Sequence, residues 1–135
     1  MMNGGLGNAD HRAMSAERKS DLSERMRDFA LQVIRLYSAL PRSTVAQVIG
    51  KQMLRAGTSV GAHYCEGTRS RSDAEFISKL EGAQQELAET IYWFDLATAE
   101  SLAPAAHLEV LKKEADELMA ILVASVKTVK RRNSR

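Results

Sequence analysis

"RAGTSVGAHYCEG", residues 55–67, is the stretch that decides the fold. It places three glycines and two β-branched residues inside a segment that otherwise has a helical pattern. Such a stretch is either a glycine loop that holds a phosphate or a helix made thin for close contact. At 100° per residue, Gly50, Gly57 and Gly61 project within about 80° of Met53 on the apolar side. We therefore predict that these three glycines let a neighbouring helix or aromatic ring lie against a continuous helix.

The phosphate-loop alternative is disfavoured by its surroundings. The stretch lacks the Gly-Lys-Ser/Thr ending and the preceding strand that a phosphate loop requires. Each glycine costs roughly 1 kcal/mol of helix propensity relative to alanine, so a close contact must offset that cost.

Apolar residues recur at helical spacing in four segments. Pro41 ends the first segment, Thr44 is the expected cap of the second, Ser72 and Glu75 form a capping box for the third, and Pro104 suits the first turn of the fourth. Short connections favour antiparallel neighbours. The predicted fold class is all-α, an antiparallel up-down-up-down four-helix bundle.

Length and composition indicate one domain. The 135 residues include a single cysteine, Cys65, which excludes an intrachain disulfide and favours a reducing compartment. No segment resembles a signal peptide or a membrane span, so we expect a cytoplasmic protein that does not associate with a membrane. We divide the chain into a flexible N-terminal segment (1–20), the helical bundle (21–129) and a basic C-terminal tail (130–135).

Charge is distributed unevenly along the chain. Residues 1–72 carry 11 Lys/Arg and 6 Asp/Glu, residues 73–126 carry 3 and 11, and residues 127–135 carry 5 and 0. These charges either lie on separate solvated faces or let the basic half of one copy dock on the acidic half of another.

Four apolar residues fall outside the predicted core stripes: Leu31, Tyr92, Trp93 and Leu96. A monomeric bundle would expose them, and aromatic residues are typical interface anchors. Together with the charge distribution, they predict a homo-oligomer in which unlike faces meet head to tail, a contact that can close into a ring.

Catalytic, cofactor and metal sites are not indicated. Di-metal sites in helical bundles use Glu-x-x-His, which is absent from this sequence. His63 and Cys65 are two residues apart and project about 200° from each other on a helix, so they cannot form a catalytic pair. Glu86 would need a cleft to act as a general acid. We expect no cofactor. An enzyme ranks third among the candidate functions, after a self-assembling scaffold and a nucleic-acid-binding protein.

Basic residues offer the alternative function of binding RNA or DNA. The C-terminal run is either a solubilising tail or part of a surface that contacts phosphates repeatedly around an oligomer. The candidate contacts are Lys51, Arg55, Arg69, Arg71, Lys127, Lys130, Arg131, Arg132 and Arg135.

The runs "RAGTSVGA", "EFISKL" and "ELAETIYWFDL" resemble the four-helix-bundle protein family also called 23S rRNA intervening-sequence proteins, over roughly residues 22–126. The resemblance implies an up-down bundle that assembles as a homopentamer. It implies no established enzymatic activity, and similar accessory proteins of retroelements form basic barrels that bind nucleic acid and a reverse transcriptase. His63 departs from the family pattern, which has Asn after "GA".

The leading hypothesis is therefore a non-enzymatic, self-assembling protein, with a homopentamer as the assembly and a scaffold or accessory role. The alternative is a nucleic-acid-binding accessory protein.

Overall fold

The computed structural model describes the backbone of residues 7–134 and the side chains of residues 21–134; residues 1–6 and Arg135 lie outside the described part. Every regular element within that part is an α-helix, and short connections place consecutive helices side by side in antiparallel order. The predicted all-α four-helix fold is confirmed. The helices are α1 (Gly7–Ser38), α2 (Thr44–Thr68), α3 (Asp73–Ala99) and α4 (Ala105–Asn133).

Serine hydroxyls cap the two central helices. The cap of α2 is Ser43, not Thr44 as predicted, because Ser43 Oγ accepts a hydrogen bond from the Ala46 backbone N–H at 3.2 Å. Both residue types are good caps, so an adjacent Ser-Thr pair leaves the first helical residue ambiguous. At α3 the predicted cap is confirmed, since Ser72 Oγ accepts a hydrogen bond from Glu75 N–H at 3.1 Å.

The outer ends of the bundle differ from the predicted boundaries. The backbone of residues 7–20 belongs to α1, where we expected a flexible segment, because residues 8–20 contain neither proline nor glycine to end the helix. Residues 130–133 of the expected tail complete the last turn of α4. The flexibility of residues 1–20 stays a prediction. Residues 1–6 of this segment lie outside the described residues.

The core is built from the inner faces of all four helices. Phe29 and Phe94 meet edge to face in its interior, with ring centroids 6.3 Å apart and planes at 70°. Among the residues with described side chains, Thr90 is the buried polar residue, and its hydroxyl donates to the Glu86 backbone carbonyl at 2.7 Å. The other large, fully buried side chains are Met26, Val33, Leu36, Met53, Leu80, Leu87, Leu108, Leu111, Leu118 and Leu122.

Contact between helices is uneven around the bundle. The most extensive contact is between α2 and α3, whereas α1 and α4 are the neighbours with the least contact. Polar side chains connect α1 and α4: Arg25 Nη2 lies 2.7 Å from Glu114 Oε1 and 3.0 Å from Glu117 Oε1. Glycines of α2 allow α1 and α3 to lie close to this helix.

Gly50 and Gly57 lie directly against α1. A Cβ atom at Gly50 would stand 2.9 Å from Tyr37 Cδ1 of α1 and 2.7 Å from Leu40 Cδ1 of the α1–α2 connection, and one at Gly57 would stand 2.8 Å from Val33 Cγ1 of α1. Real Cβ atoms essentially never make contacts under 3.0 Å, and Val33 is β-branched and fully buried, so at Gly57 only hydrogen fits against α1. The glycines of α2 therefore belong to an uninterrupted helix.

Two glycines of α2 differ from the sequence prediction: Gly61 has more space around it than expected, and Gly67 has less. A Cβ at Gly61 would lie 3.4 Å from Met26 Cβ, which is ordinary van der Waals contact, so α1 leaves room for a methyl group there. Gly67 was not singled out, yet a Cβ there would stand 2.6 Å from Leu80 Cδ1 of α3. A helical projection gives the direction of a residue but not the distance to the neighbour it faces.

Candidate functional site

A line of charged side chains, here called the polar ladder, follows the contact between α2 and α3. Arg55 binds two carboxylates of α3: its Nη1 lies 3.4 Å from Glu86 Oε1, and its Nη2 binds Glu89 Oε2. The same Glu89 oxygen accepts a hydrogen bond from Trp93 Nε1 at 3.0 Å. The polar ladder comprises Arg55, His63, Glu66, Lys79, Glu86 and Glu89.

These contacts shift the pKa values at the upper end of the polar ladder. The hydrogen bond from Trp93, followed by that from Arg55, holds the pKa of Glu89 below its ordinary value. The hydrogen bond to Glu89 raises the pKa of Arg55 further above its ordinary value. Arg55 was predicted to contact nucleic acid, but in the structure its guanidinium forms ion pairs with Glu86 and Glu89 of the same chain.

His63 occupies the middle of the polar ladder, between carboxylates of both helices. Its Nδ1 lies 3.9 Å from Glu66 Oε1 and its Nε2 lies 3.8 Å from Glu86 Oε2. The Nδ1 atom is buried and has no hydrogen-bond partner among the described residues. A Cβ at Gly82 would stand 3.1 Å from this nitrogen, so Gly82 makes room for the ring. No pattern in the sequence indicates that His63 and Gly82 meet.

The geometry of the polar ladder favours alignment of two helices over chemistry. Its glutamates alternate with Arg55, His63 and Lys79, and Lys79 Nζ lies at the lower end, 3.4 Å from Glu66 Oε1. No three His, Cys, Asp or Glu side chains converge as metal ligands within the described residues. Exposed ion pairs stabilise a fold by about 0–1 kcal/mol each, so the main effect of the series is to fix the register of α2 against α3.

Above the polar ladder lies a group of apolar side chains that we call the apolar patch. It comprises Val45, Val48, Tyr92, Trp93 and Leu96. Val48 is 58% exposed, Tyr92 54% and Val45 51%. Trp93 and Leu96, which we expected to be exposed, are half-buried against the core, and the Trp93 ring meets Tyr92 edge to face at 5.1 Å.

The register of the polar ladder brings the two halves of the apolar patch together. Arg55 and Glu89 face each other across antiparallel helices. Val48 precedes Arg55 by seven residues and Leu96 follows Glu89 by seven, so both lie two turns above the ion pair at the same height. Our sequence analysis did not identify Val45 and Val48 as part of an exposed apolar surface. The signal that could have identified them is that both are apolar, β-branched residues outside the core stripe of α2.

Leu31 does not join the apolar patch. It is half-buried on α1, which is diagonal to α3 in the bundle. Near it, α1 and α2 form a shallow groove of about 400 Å³, which we call the α1–α2 groove. Small and apolar residues form most of its surface: Met26, Ala30, Thr58, Gly61, Ala62 and Cys65.

The antiparallel topology gathers several predicted basic contacts at one end of the bundle. Arg71 of the α2–α3 connection and Arg132 of α4 line the same cleft of about 380 Å³. Phe76 of α3 lies in the wall of this cleft. We call this region the basic end.

The charges of the predicted basic residues are compensated to different degrees. Lys130 Nζ lies 3.1 Å from Glu81 Oε2, and Arg132 Nη2 lies 4.0 Å from Asp73 Oδ1. Exposed residues without an ion pair among the described side chains are Lys51, Arg69, Arg71, Lys127 and Arg131. Lys51 lies near the other end of α2, and Arg135 lies outside the described residues.

Among helices α1 to α4 as described here, none has the length and apolar character needed to cross a bilayer.

Comparisons with known proteins agree with this architecture. The family model described as 23S rRNA-intervening sequence protein matches residues 18–124. The chain is also similar to the crystal structure of a protein with unknown function from the S23 ribosomal protein family of Bacteroides thetaiotaomicron. The TM-score is 0.74 at 31% sequence identity, covering 78% of this chain and 98% of that one. A comparison with curated proteins finds no match.

Proposed function

Because the chain belongs to the 23S rRNA-intervening sequence protein family, we propose that it is a non-enzymatic, self-assembling bundle that forms a homopentameric ring. In this proposal the ring serves as a scaffold or accessory factor in the cytoplasm. The observation that carries it is the apolar patch, which contains the exposed Tyr92 against Trp93, the only tryptophan of the chain, and two exposed valines of α2. Large exposed apolar surfaces with aromatic anchors are typical of protein interfaces.

The charge distribution supports contact between different halves of two copies. Residues 21–72, which contain most of the described part of α1 and all of α2, carry eight Lys/Arg and four Asp/Glu. Residues 73–126, which contain α3 and most of α4, carry three and eleven. Opposite net charges on the two halves favour heterotypic contact and oppose the pairing of two acidic halves.

Light scattering coupled to size-exclusion chromatography tests self-assembly. We expect the wild-type protein to elute with about five times the chain mass of 14.9 kDa. Tyr92→Glu places a charge in the apolar patch and should give monomers. Ser78→Glu introduces the same charge at an exposed position of α3 far from the patch, and should leave the mass unchanged. A wild-type monomer at micromolar concentration would refute the proposal.

Nucleic-acid binding is the second candidate function, and the basic end is the observation that favours it. Arg69, Arg71 and Arg131 are exposed and lack ion pairs among the described residues, and the fold places them at one end of the subunit. A ring would repeat this end in every copy, so weak phosphate contacts would act together.

A salt titration of RNA binding tests this second function. Binding by phosphate contacts falls as salt rises, and each lost contact makes the slope of log K against log salt shallower. Replacing Arg69, Arg71 and Arg131 by glutamine should weaken binding and flatten that slope. Lys51→Gln removes a charge at the other end of α2 and serves as the control. If the triple variant binds as the wild type does, the basic end is not the binding surface.

A further inference from the structure

We propose that the assembly forms when the apolar patch of one copy occupies the α1–α2 groove of the next. This inference rests on the self-assembly proposed above and specifies which surfaces meet. It makes the contact heterologous, because each copy presents the patch on one side and the groove on another. A second copy of this chain is therefore the occupant of the groove.

Shape is the first argument for this pairing. Tyr92 and Val48 of the apolar patch each have more than half of their surface exposed, so both side chains are free to enter a concave surface. The α1–α2 groove is concave and is lined by side chains no larger than threonine over much of its length. Gly61 contributes directly, because α1 leaves room for a methyl group there and the absent side chain keeps the groove open. A large side chain from outside can fill the space that small residues leave.

Charge is the second argument. The groove belongs to the half of the bundle with excess Lys/Arg, whereas the α3 side of the apolar patch belongs to the half with eleven Asp/Glu against three Lys/Arg. A patch-to-groove contact brings these halves together.

The angle between the two surfaces is the third argument. In an idealised bundle with four helices at the corners of a square, the outward directions of adjacent sides differ by roughly 90°. The outward direction of one side differs by roughly 135° from that of a corner on the opposite side. The groove lies on the α1–α2 side, and the apolar patch extends from the α2–α3 side to the outer surface of α3. A closed ring of five requires about 108° between the two contact directions of each subunit. The patch and the groove are therefore placed for a small ring.

Two substitutions at exposed positions block the surfaces separately. Tyr92→Glu blocks the apolar patch and keeps the groove, whereas Ala62→Glu blocks the groove and keeps the patch. Both positions lie on the outside of helices, and circular dichroism with thermal unfolding checks that each variant is folded. Each variant alone should be monomeric.

Mixing the two variants in equal amounts gives the deciding result. The intact patch of Ala62→Glu can bind the intact groove of Tyr92→Glu, and the resulting pair has no further intact surface. We expect a heterodimer of one copy each and nothing larger, measured by sedimentation equilibrium with one variant labelled. The inference is overturned if Ala62→Glu keeps the wild-type mass, or if the folded monomeric variants form no heterodimer. A wild-type protein that is monomeric would instead refute self-assembly itself.

Discussion

Replacing Gly57 by alanine should destabilise the bundle, although alanine is the better helix former. The added Cβ would lie 2.8 Å from Val33 Cγ1, 3.0 Å from Val33 Cγ2 and 3.3 Å from Val33 Cβ. Val33 is fully buried, and a β-branched side chain in a helix has one strongly preferred rotamer, so it cannot turn aside. The two helices must separate instead.

The expected magnitude follows from two opposing terms. Overpacking a core by one methyl group costs about 1–3 kcal/mol, whereas replacing glycine by alanine inside a helix contributes about 1 kcal/mol of stability. Gly57→Ala should therefore lower the free energy of unfolding by about 1 kcal/mol. Gly61→Ala adds a methyl group at ordinary contact distance, so it should raise that free energy by about 0.5–1 kcal/mol.

Urea unfolding followed by circular dichroism measures both changes. The substitutions are best made in a Tyr92→Glu background, so that assembly does not contribute to the measured stability. Val33→Ala removes the two shortest contacts, at 2.8 and 3.0 Å, so in that background Gly57→Ala should be less destabilising than in the presence of Val33. If Gly57→Ala and Gly61→Ala stabilise the protein equally, α1 does not approach α2 as closely as we describe.

The remaining predictions concern pH. Because the folded-state pKa of Glu89 is lowered, its contribution to stability is present above its ordinary pKa of 4.5 and is lost as pH falls through the folded value. The fluorescence of Trp93, the only tryptophan, should therefore change in a step centred below pH 4.5, and Glu89→Gln should abolish that step. A step centred above 4.5 would contradict the hydrogen bond from Trp93. Burial raises the pKa of Tyr64 above 10.0, so stability should fall as pH rises from 10.0 through the higher folded value. Tyr64→Phe should make unfolding by alkali less steep; an unchanged alkaline profile would show that this hydroxyl is not buried.

Helical periodicity predicted the bundle because burial repeats along each helix independently of its neighbours. Leu80, Leu87 and Phe94 recur at intervals of seven residues on one side of α3, and all three are fully buried. The adjacent Ser43 and Thr44 show the limit of local signals, because both favour capping and tertiary geometry selects between them.

The candidate site was less predictable because it depends on the register between helices. We predicted Arg55 as a nucleic-acid contact from its charge, but the sequence contains no means of aligning it with Glu86 and Glu89 on α3. The same alignment adds Val48 to the group formed by Tyr92 and Leu96. Projection of a single helix contains no information on this register. The register is determined by side-chain contacts across the α2–α3 interface.

The central claim is that copies assemble through unlike surfaces. Cross-linking between cysteines tests this claim most directly. Cys65 is exposed in the α1–α2 groove and is the only cysteine of the chain. Ala88→Cys adds a second thiol at an exposed position one turn from Tyr92. Under a short bis-maleimide reagent, we predict covalent products from dimers up to pentamers in this variant and mainly monomers in the wild type. Products that stop at the dimer, or none at all, would contradict the claim.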